Sequence, residues 1–240
     1  MTAVTAQNTT GVTDVFPLPA AIVMAQIDRV APDVNIAAVK TGMLATQDVV
    51  RAVADAVGRL GILNVVVDPV MASSPLHQSF DGPAPDASRT LLAPEAVSVL
   101  KTVLLPRATV VTPNVAEAEA LSGIRIDSMT SAREAARQIA DFGAAAVVIK
   151  GGHLHGPLAV DLLLHQGVFT ELSAPRAAFP AVHGTGCTFA SAIAAGLALG
   201  DDIPGAVQRA KRYITGAIEQ SFALGQGARL LNHFWTPPRA

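Results

Sequence analysis

The sequence predicts an α/β fold in which helices cover both faces of a mostly parallel sheet. Short apolar runs alternate along the 240 residues with longer stretches of helical periodicity. The chain is 50% hydrophobic but only 4% aromatic, so its core is built from Ala, Val, Leu and Ile, which suit strands buried on both faces. Neither a repeat nor a linker divides the chain, and we expect a single domain over residues 1–240.

Five apolar runs are candidate strands, and seven segments with helical spacing are candidate helices. Ser131 is followed three residues later by Glu134, a pattern typical of a capping box at a helix start. Gln166 and Gly167 join two further short runs as an edge hairpin. The candidate strands are residues 2–6, 36–40, 64–68, 109–112 and 145–150; the hairpin strands are 159–164 and 168–172; the candidate helices are 17–30, 46–60, 94–104, 115–121, 131–142, 185–199 and 203–223.

One irregular stretch, residues 72–92, is rich in Pro, Ser, Asp and Gly. A loop of this length in a compact domain is typical of a lid or of disorder.

Charge and composition exclude several classes of protein. The net charge is −2 without a block of like charges, so we expect neither a nucleic-acid partner nor an anionic membrane surface. The single cysteine cannot form an internal disulfide, which favours a reducing, cytoplasmic location. The longest apolar stretch, residues 189–199, is too short to span a bilayer, and the first residues lack the pattern of a signal peptide.

The most informative motif is residues 183–188 (HGTGCT), which precede a predicted apolar helix. Gly184 and Gly186 permit a tight turn, and the free N–H groups of the helix start point back at it. Such a helix end binds anions, and we expect a cysteine there, Cys187, to have a lowered pKa. The motif favours a site that holds a phosphoryl group during its transfer. A glycine-rich helix start that only packs is the alternative.

Residues suited to ligand binding also stand at or just beyond the carboxyl ends of four predicted strands. Open α/β sheets bind their ligands at this edge. Gly42 stands two residues after the second candidate strand, and Asp68 is the last residue of the third. Asn114 stands two residues after the fourth, with Glu117 one helical turn later, and Lys150 is the last residue of the fifth. A carboxylate at a strand end can hold a Mg²⁺-bound water, and a lysine before two glycines can reach phosphates.

Each of these residues also has a purely structural interpretation. Asn114 and Glu117 stand at the N-cap and N3 positions and could serve only as a helix cap. Asp68 could form a turn before Pro69, and Lys150 could be a solvated strand end. His153 and His155 have no partner at metal-ligand spacing and are interpreted as loop residues.

Taken in order, the motifs resemble those of the hydroxymethylpyrimidine/phosphomethylpyrimidine kinases of thiamine biosynthesis, in the ribokinase-like superfamily. The resemblance covers nearly the whole chain and implies a three-layer αβα sandwich. It also implies ATP-dependent phosphorylation of 4-amino-5-hydroxymethyl-2-methylpyrimidine and then of its monophosphate, with Mg²⁺, in a homodimer. The motifs are residues 5–9 (TAQNT), 40–44 (KTGML), 68–71 (DPVM), 112–114 (TPN), 150–153 (KGGH) and 183–188 (HGTGCT).

The resemblance assigns substrate and nucleotide contacts by position. Gln7 is expected to hydrogen-bond the pyrimidine, and Gly42 and Met43 are expected to lie against its ring. Lys150 is expected to meet the ATP phosphates. The residues assigned to nucleotide binding are Lys150, Asn114 and His183.

The resemblance also assigns the metal and the transferring group. Asp68 and Glu117, with Asn114, are expected to organise Mg²⁺ and its waters. Cys187 stands where most members of the superfamily have an aspartate base, so it would activate the hydroxyl or stabilise the transferring phosphoryl group. The residues expected to form the anion hole are Gly184, Thr185 and Gly186.

Two departures from the family pattern keep other functions open. The family normally begins with a strand, a glycine-rich segment and a helix, whereas Met1 lies only six residues before Gln7. We therefore expect the 240-residue form to be less stable than an extended form. The loop 72–92 also lacks the expected Lys-Ser-Gly. The alternatives are a pyridoxal kinase of the same superfamily, against which Gln7 and Asn8 argue, and a relic that binds nucleotide without turnover.

Overall fold

The computed structural model describes residues 1–72, 91–151, 157–177 and 182–235. Within these ranges each of the seven predicted strands is present close to its predicted position, and three further strands, over residues 11–17, 182–183 and 229–230, were not predicted. The strands are β1 (Ala3–Asn8), β2 (Gly11–Pro17), β3 (Val39–Thr41), β4 (Val65–Val67), β5 (Val110–Val111), β6 (Ala146–Ile149), β7 (Leu158–His165), β8 (Val168–Pro175), β9 (Val182–His183) and β10 (Arg229–Leu230).

Six of these strands form the central sheet, in the spatial order β3-β4-β5-β6-β7-β8. Strands β3 to β6 are parallel, whereas β7 pairs antiparallel with β6 and with β8. The turn between β7 and β8 contains Gln166 and Gly167 at φ values of 50° and 76°. Two successive residues at positive φ match the right-handed twist of a hairpin, which confirms the predicted edge hairpin.

The described helices also follow the predicted order. α3 continues into a wider turn over Leu100–Leu104 and a tighter one over Leu105–Arg107. No helix of the described ranges has both the length and the apolar character needed to cross a membrane. The helices are α1 (Ala20–Val30), α2 (Gln47–Arg59), α3 (Pro94–Val99), α4 (Val115–Ser122), α5 (Met129–Ala140), α6 (Thr185–Ala198) and α7 (Ile203–Glu219).

The sheet separates two apolar cores, which makes the three-layer sandwich. Alternate residues of a strand face opposite sides. In β4, Val65 and Val67 therefore join the core formed with α1 to α5, whereas Val66 joins the core formed with α6 and α7. All three valines are fully buried. This is why the central strands are continuously apolar instead of alternating.

The sequence prediction is wrong at the start of the chain. Residues 11–17 form the strand β2, which pairs antiparallel with β1 as a hairpin outside the central sheet. The helix predicted over 17–30 accordingly begins at Ala20, after Pro19. The strand predicted over 2–6 is present, but its partner is the next strand of the chain.

The predicted capping box is displaced by one helical turn. Ser128 is the N-cap of α5, and its hydroxyl accepts a hydrogen bond from the backbone N–H of Ser131, which is therefore the N3 residue. Of the predicted loop 72–92, residues 73–90 lie outside the described ranges. Its two ends meet, because the Leu91 N–H donates to the carbonyl oxygen of Met71 at 2.8 Å.

Candidate active site

The carboxyl ends of the four parallel strands bring together the polar residues that the sequence places there. Asp68 follows β4 and is 2% exposed. Lys150 follows β6, and its backbone N–H donates to Pro113 O at 2.9 Å, which joins it to the segment before α4. Because the strands run in one direction, these side chains converge on one edge of the sheet.

A buried ion pair forms the centre of the site. Lys150 Nζ donates a hydrogen bond to Asp68 Oδ1 at 2.9 Å. Burial alone would raise the pKa of the Asp68 carboxyl, but Lys150 and Lys40 outweigh it and hold that pKa below its ordinary value. Burial alone would lower the pKa of Lys150, but Asp68 and Glu117 raise it above its ordinary value. Both groups are therefore charged at neutral pH, and the alternative of Lys150 as a solvated strand end does not hold.

Asn114 and Glu117 form the capping box of α4. The Asn114 Oδ1 accepts from the Glu117 N–H at 2.9 Å, and Glu117 Oε2 accepts from the Asn114 N–H at 2.8 Å. Glu117 Oε2 also lies 4.0 Å from Lys150 Nζ. Burial raises the pKa of Glu117 above its ordinary value, against the opposing effect of Lys150. The two residues thus cap the helix and also border the charged cluster.

The glycine-rich motif forms a helix start directly beside Lys150. Gly184 is the N-cap of α6 with φ of 82°, a conformation that side chains disfavour. A Cβ added to Gly186 would lie only 3.0 Å from Lys150 Nζ. The free N–H groups of the first helical turn and the ammonium group therefore surround one position, which is suited to an anion.

The pKa prediction for Cys187 is wrong in direction. Burial and then the negative charge of Asp68 raise the pKa of the thiol above its ordinary value, although Lys40 and Lys150 oppose them. The residue retains an exposed side. The helix start was expected to favour the thiolate, but the adjacent carboxylate of Asp68 disfavours it. Cys187 is therefore a neutral thiol at neutral pH.

Hydrogen bonds join the β1–β2 hairpin to the site and to the segment before β10. The Gln7 side-chain amide lies 2.8 Å from His183 Nε2, so it reaches the residue that precedes Gly184. Thr2 Oγ1 donates to Met43 O at 2.6 Å, and the Ala228 N–H donates to Thr9 O at 2.8 Å. Of the residues assigned to the pyrimidine, Gln7 thus lies beside the anion-binding helix start, and Met43 is bound to the residue that precedes β1. Residues 152–156, which include His153 and His155, lie outside the described ranges.

A second buried ion pair, which the sequence analysis missed, lies behind Lys150. Lys211 Nζ is 2.8 Å from Asp161 Oδ2, and both side chains are 10% exposed. Asp161 Oδ1 accepts from the Gly151 N–H at 3.0 Å. A Cβ at Gly151 would overlap Val160 O, so this backbone passes tightly against β7. The signals in the sequence are an aspartate within the apolar run of β7 and a lysine on the apolar face of α7.

Lys211→Met is expected to lower the free energy of unfolding by about 3 kcal/mol, because it leaves the Asp161 carboxylate buried without a counter-ion. Urea denaturation measures the change. The double variant Asp161→Asn/Lys211→Met should recover part of the loss, since a neutral amide still accepts from Gly151. Arg209→Met, which breaks an exposed pair with Asp201, is the matched control and should change stability much less. Equal losses in Lys211→Met and Arg209→Met would contradict this account.

The described ranges contain no cluster of three or more His, Cys, Asp or Glu side chains that could enclose a metal ion. They do offer two carboxylates, Asp68 and Glu117, next to the anion position. This fits Mg²⁺, which prefers oxygen ligands and is commonly held by one or two carboxylates, water and substrate phosphates.

A sheet of this order with a charged cluster at its parallel strand ends defines a small-molecule kinase of the ribokinase-like class. Solved structures agree. The Bacillus subtilis pyridoxal kinase, solved as an ADP complex, gives a TM-score of 0.82 at 34% identity over 96% of this chain and 82% of that one. The phosphomethylpyrimidine kinase of Clostridium difficile gives a TM-score of 0.74 at 36% identity over 91% of this chain and 84% of that one.

The chain belongs to the phosphomethylpyrimidine kinase family, which matches residues 1–232. It is 45% identical to the hydroxymethylpyrimidine/phosphomethylpyrimidine kinase of Streptomyces coelicolor, over 98% of this chain and 82% of the relative. It is 44% identical to the thiamine biosynthesis bifunctional protein of Geobacter sulfurreducens, over 97% of this chain. It spans only 45% of that longer relative. The family resemblance seen in the motifs is thus confirmed.

Proposed function

We propose that this chain transfers the γ-phosphoryl group of ATP, with Mg²⁺, to 4-amino-5-hydroxymethyl-2-methylpyrimidine and then to its monophosphate. The observation that carries the proposal is the Lys150 ammonium group, held at 2.9 Å from Asp68 and directly against Gly186. The names of the relatives support these two acceptors.

In the proposed mechanism the protein mainly positions the reactants and neutralises charge. The N–H groups at the start of α6 receive the transferring phosphoryl group, and Lys150 stabilises the charge on its oxygens. Asp68 and Glu117, with Asn114, would hold Mg²⁺ and its waters. The ion, when bound, would neutralise charge on the nucleotide phosphates.

The acceptor is proposed to lie between the hairpin and the helix start. Gln7 would recognise the pyrimidine, and Gly42 and Met43 would form its other wall. His183 faces Gln7 at 2.8 Å and so orients its amide, in addition to its expected place beside the nucleotide. The hairpin thereby brings the hydroxymethyl group towards Cys187.

Gly227→Ala is expected to raise the KM for the acceptor by at least about tenfold, with a smaller change in the KM for ATP. A Cβ at Gly227 would overlap Thr9 O, so the hairpin and its Gln7 must shift. Initial rates at saturating concentrations of the other substrate measure both constants. Gly11→Ala is the matched control in the same hairpin, because a Cβ there meets nothing within 4 Å. An unchanged acceptor KM in Gly227→Ala would argue against the hairpin as part of the acceptor site.

The test of the function is a comparison of three acceptors. Purified protein is incubated with ATP, Mg²⁺ and either the pyrimidine alcohol, its monophosphate or pyridoxal, and the phosphorylated products are identified. Higher kcat/KM for both pyrimidines than for pyridoxal would support the proposal, and chelation of Mg²⁺ should abolish turnover. Product from none of the three would favour the nucleotide-binding relic and overturn the proposal.

Pyridoxal phosphorylation is the second candidate, and the solved structures are its support. The Staphylococcus aureus pyridoxal kinase in complex with AMP-PCP and pyridoxal gives a TM-score of 0.84 at 31% identity, over 97% of this chain and 80% of that one. Preference for pyridoxal in the comparison above would select this function.

We further propose that the chain is a single-domain, cytoplasmic homodimer. The family resemblance is the support for the dimer. Light scattering during size-exclusion chromatography tests it, and a monomer mass at micromolar concentration would exclude it.

A further inference from the structure

Lys40 is a charged residue of the site to which neither the motif nor the proposed mechanism gives a role. It stands on β3, and its Nζ lies 3.5 Å from Asp68 Oδ2. Lys150 contacts the other oxygen of the same carboxylate, Oδ1. One buried aspartate therefore holds two ammonium groups, one on each of its oxygens.

The two ammonium groups face different walls of the site. A Cβ added to Gly186 would lie 3.0 Å from Lys150 Nζ, whereas one added to Gly42 would lie 2.9 Å from Lys40 Nζ. Lys150 thus borders the anion-binding helix start, and Lys40 borders the segment Gly42–Met43 that also holds the hairpin through Thr2. In the proposed function these two walls are the nucleotide side and the acceptor side, respectively.

Lys40 is also the less tightly held of the two. Its ion pair with Asp68 is longer, at 3.5 Å against 2.9 Å, whereas the two lysine side chains are about equally buried, with 18% and 16% exposure. Among the described residues, Asp68 is the one carboxylate that pairs with Lys40, and it is shared with Lys150, which also has Glu117 Oε2 at 4.0 Å. The Lys40 side of the cluster therefore has the greater capacity for added negative charge. An ammonium group with remaining donors in a partly desolvated site binds phosphate oxygens well.

We propose that Lys40 is a catalytic residue that binds the phosphate group of the monophosphorylated acceptor and so serves the second phosphoryl transfer more than the first. This inference rests on the proposed function. It gives the site two cations with separate tasks, Lys150 for the phosphates of ATP and Lys40 for the phosphate of the acceptor.

The two transfers differ in the charge of the nucleophile. In the first, the hydroxyl oxygen attacks the γ-phosphorus, the bond from that phosphorus to the β–γ bridging oxygen breaks, ADP leaves with the electron pair, and the hydroxyl proton passes to the Cys187 thiolate or to water. In the second, an acceptor phosphate oxygen makes the same attack, but it is already ionised at neutral pH, since the second pKa of a phosphomonoester is about 6. The second transfer therefore needs less proton removal and more charge neutralisation, which a fixed ammonium group supplies.

The test compares the two acceptors in Lys40→Met. We expect kcat/KM for the monophosphate to fall at least about 50-fold and kcat/KM for the alcohol to fall less than about fivefold. Lys40→Arg, which keeps the charge, should recover much of the loss with the monophosphate. Lys101→Met, the one lysine outside the site and outside the Asp161 pair, is the matched control and should change neither value.

A binding measurement without ATP makes the result independent of turnover. Titration calorimetry should show weaker binding of the monophosphate to Lys40→Met than to the wild-type protein, with unchanged binding of the alcohol. Equal losses for both acceptors, or no loss for either, would overturn the inference. A wild-type protein that converts neither acceptor would overturn the proposed function instead, and the binding measurement would then decide the role of Lys40 alone. Melting temperatures of all variants verify that each is folded.

Discussion

Lys150→Met is expected to lower kcat by about 10³-fold, the largest effect of a single substitution in this site. The ammonium group lies in a buried cluster, where its interaction with the charge that develops on the transferring phosphoryl group is screened little. Methionine has a similar length and no charge, so the change removes the electrostatic contribution and retains most of the volume. Binding of ATP should weaken less than kcat falls, because the backbone N–H groups of α6 remain.

The measurement combines steady-state rates with calorimetric titration of ATP. Lys150→Met still leaves Asp68 paired with Lys40 at 3.5 Å, so the carboxylate is not left without a cation and the variant is expected to fold. A kcat within tenfold of the wild-type value in Lys150→Met would exclude the proposed role.

The positions of the charged cluster followed from the sequence because parallel strands end at one edge of the sheet. Asp68 and Lys150 stand directly after short apolar runs, and Asn114 stands three residues after Val111. The rule that parallel strands end at one edge brings all three together. The anion-binding helix start was also visible, since Gly184 and Gly186 precede a long apolar helix. At the strand ends and at the start of α6, the local sequence pattern therefore predicts the position that the fold gives these residues.

The hairpin and the buried pair of Asp161 and Lys211 could not be predicted from local patterns in the sequence. Strand β2 contains Asp14 and ends at Pro17, and four of its seven residues are exposed, so its apolar pattern is weak. Asp161 and Lys211 are 50 residues apart. Their pairing depends on how α7 packs against β7, which no local pattern specifies. The pKa of Cys187 depends in the same way on Asp68, a residue distant in sequence.

Cys187→Ala is expected to lower kcat with the pyrimidine alcohol by about 10²-fold and to leave the KM for ATP nearly unchanged. The thiol stands at the start of α6, beside the proposed position of the transferring group, so its contribution should grow towards the transition state. Its raised pKa adds a dependence on pH. The thiolate is a minor species at pH 7, and its fraction rises with pH towards a pKa above the ordinary 9.0.

If the thiolate accepts the hydroxyl proton, kcat of the wild-type protein with the alcohol should therefore rise between pH 7 and about pH 9, and the rise should be absent in Cys187→Ala. The monophosphate serves as an internal control, because its attacking oxygen has no proton to lose at these pH values. Its kcat should depend less on pH and should fall less in Cys187→Ala. Near-normal turnover of the alcohol by Cys187→Ala would mean that the thiol only packs at the helix start.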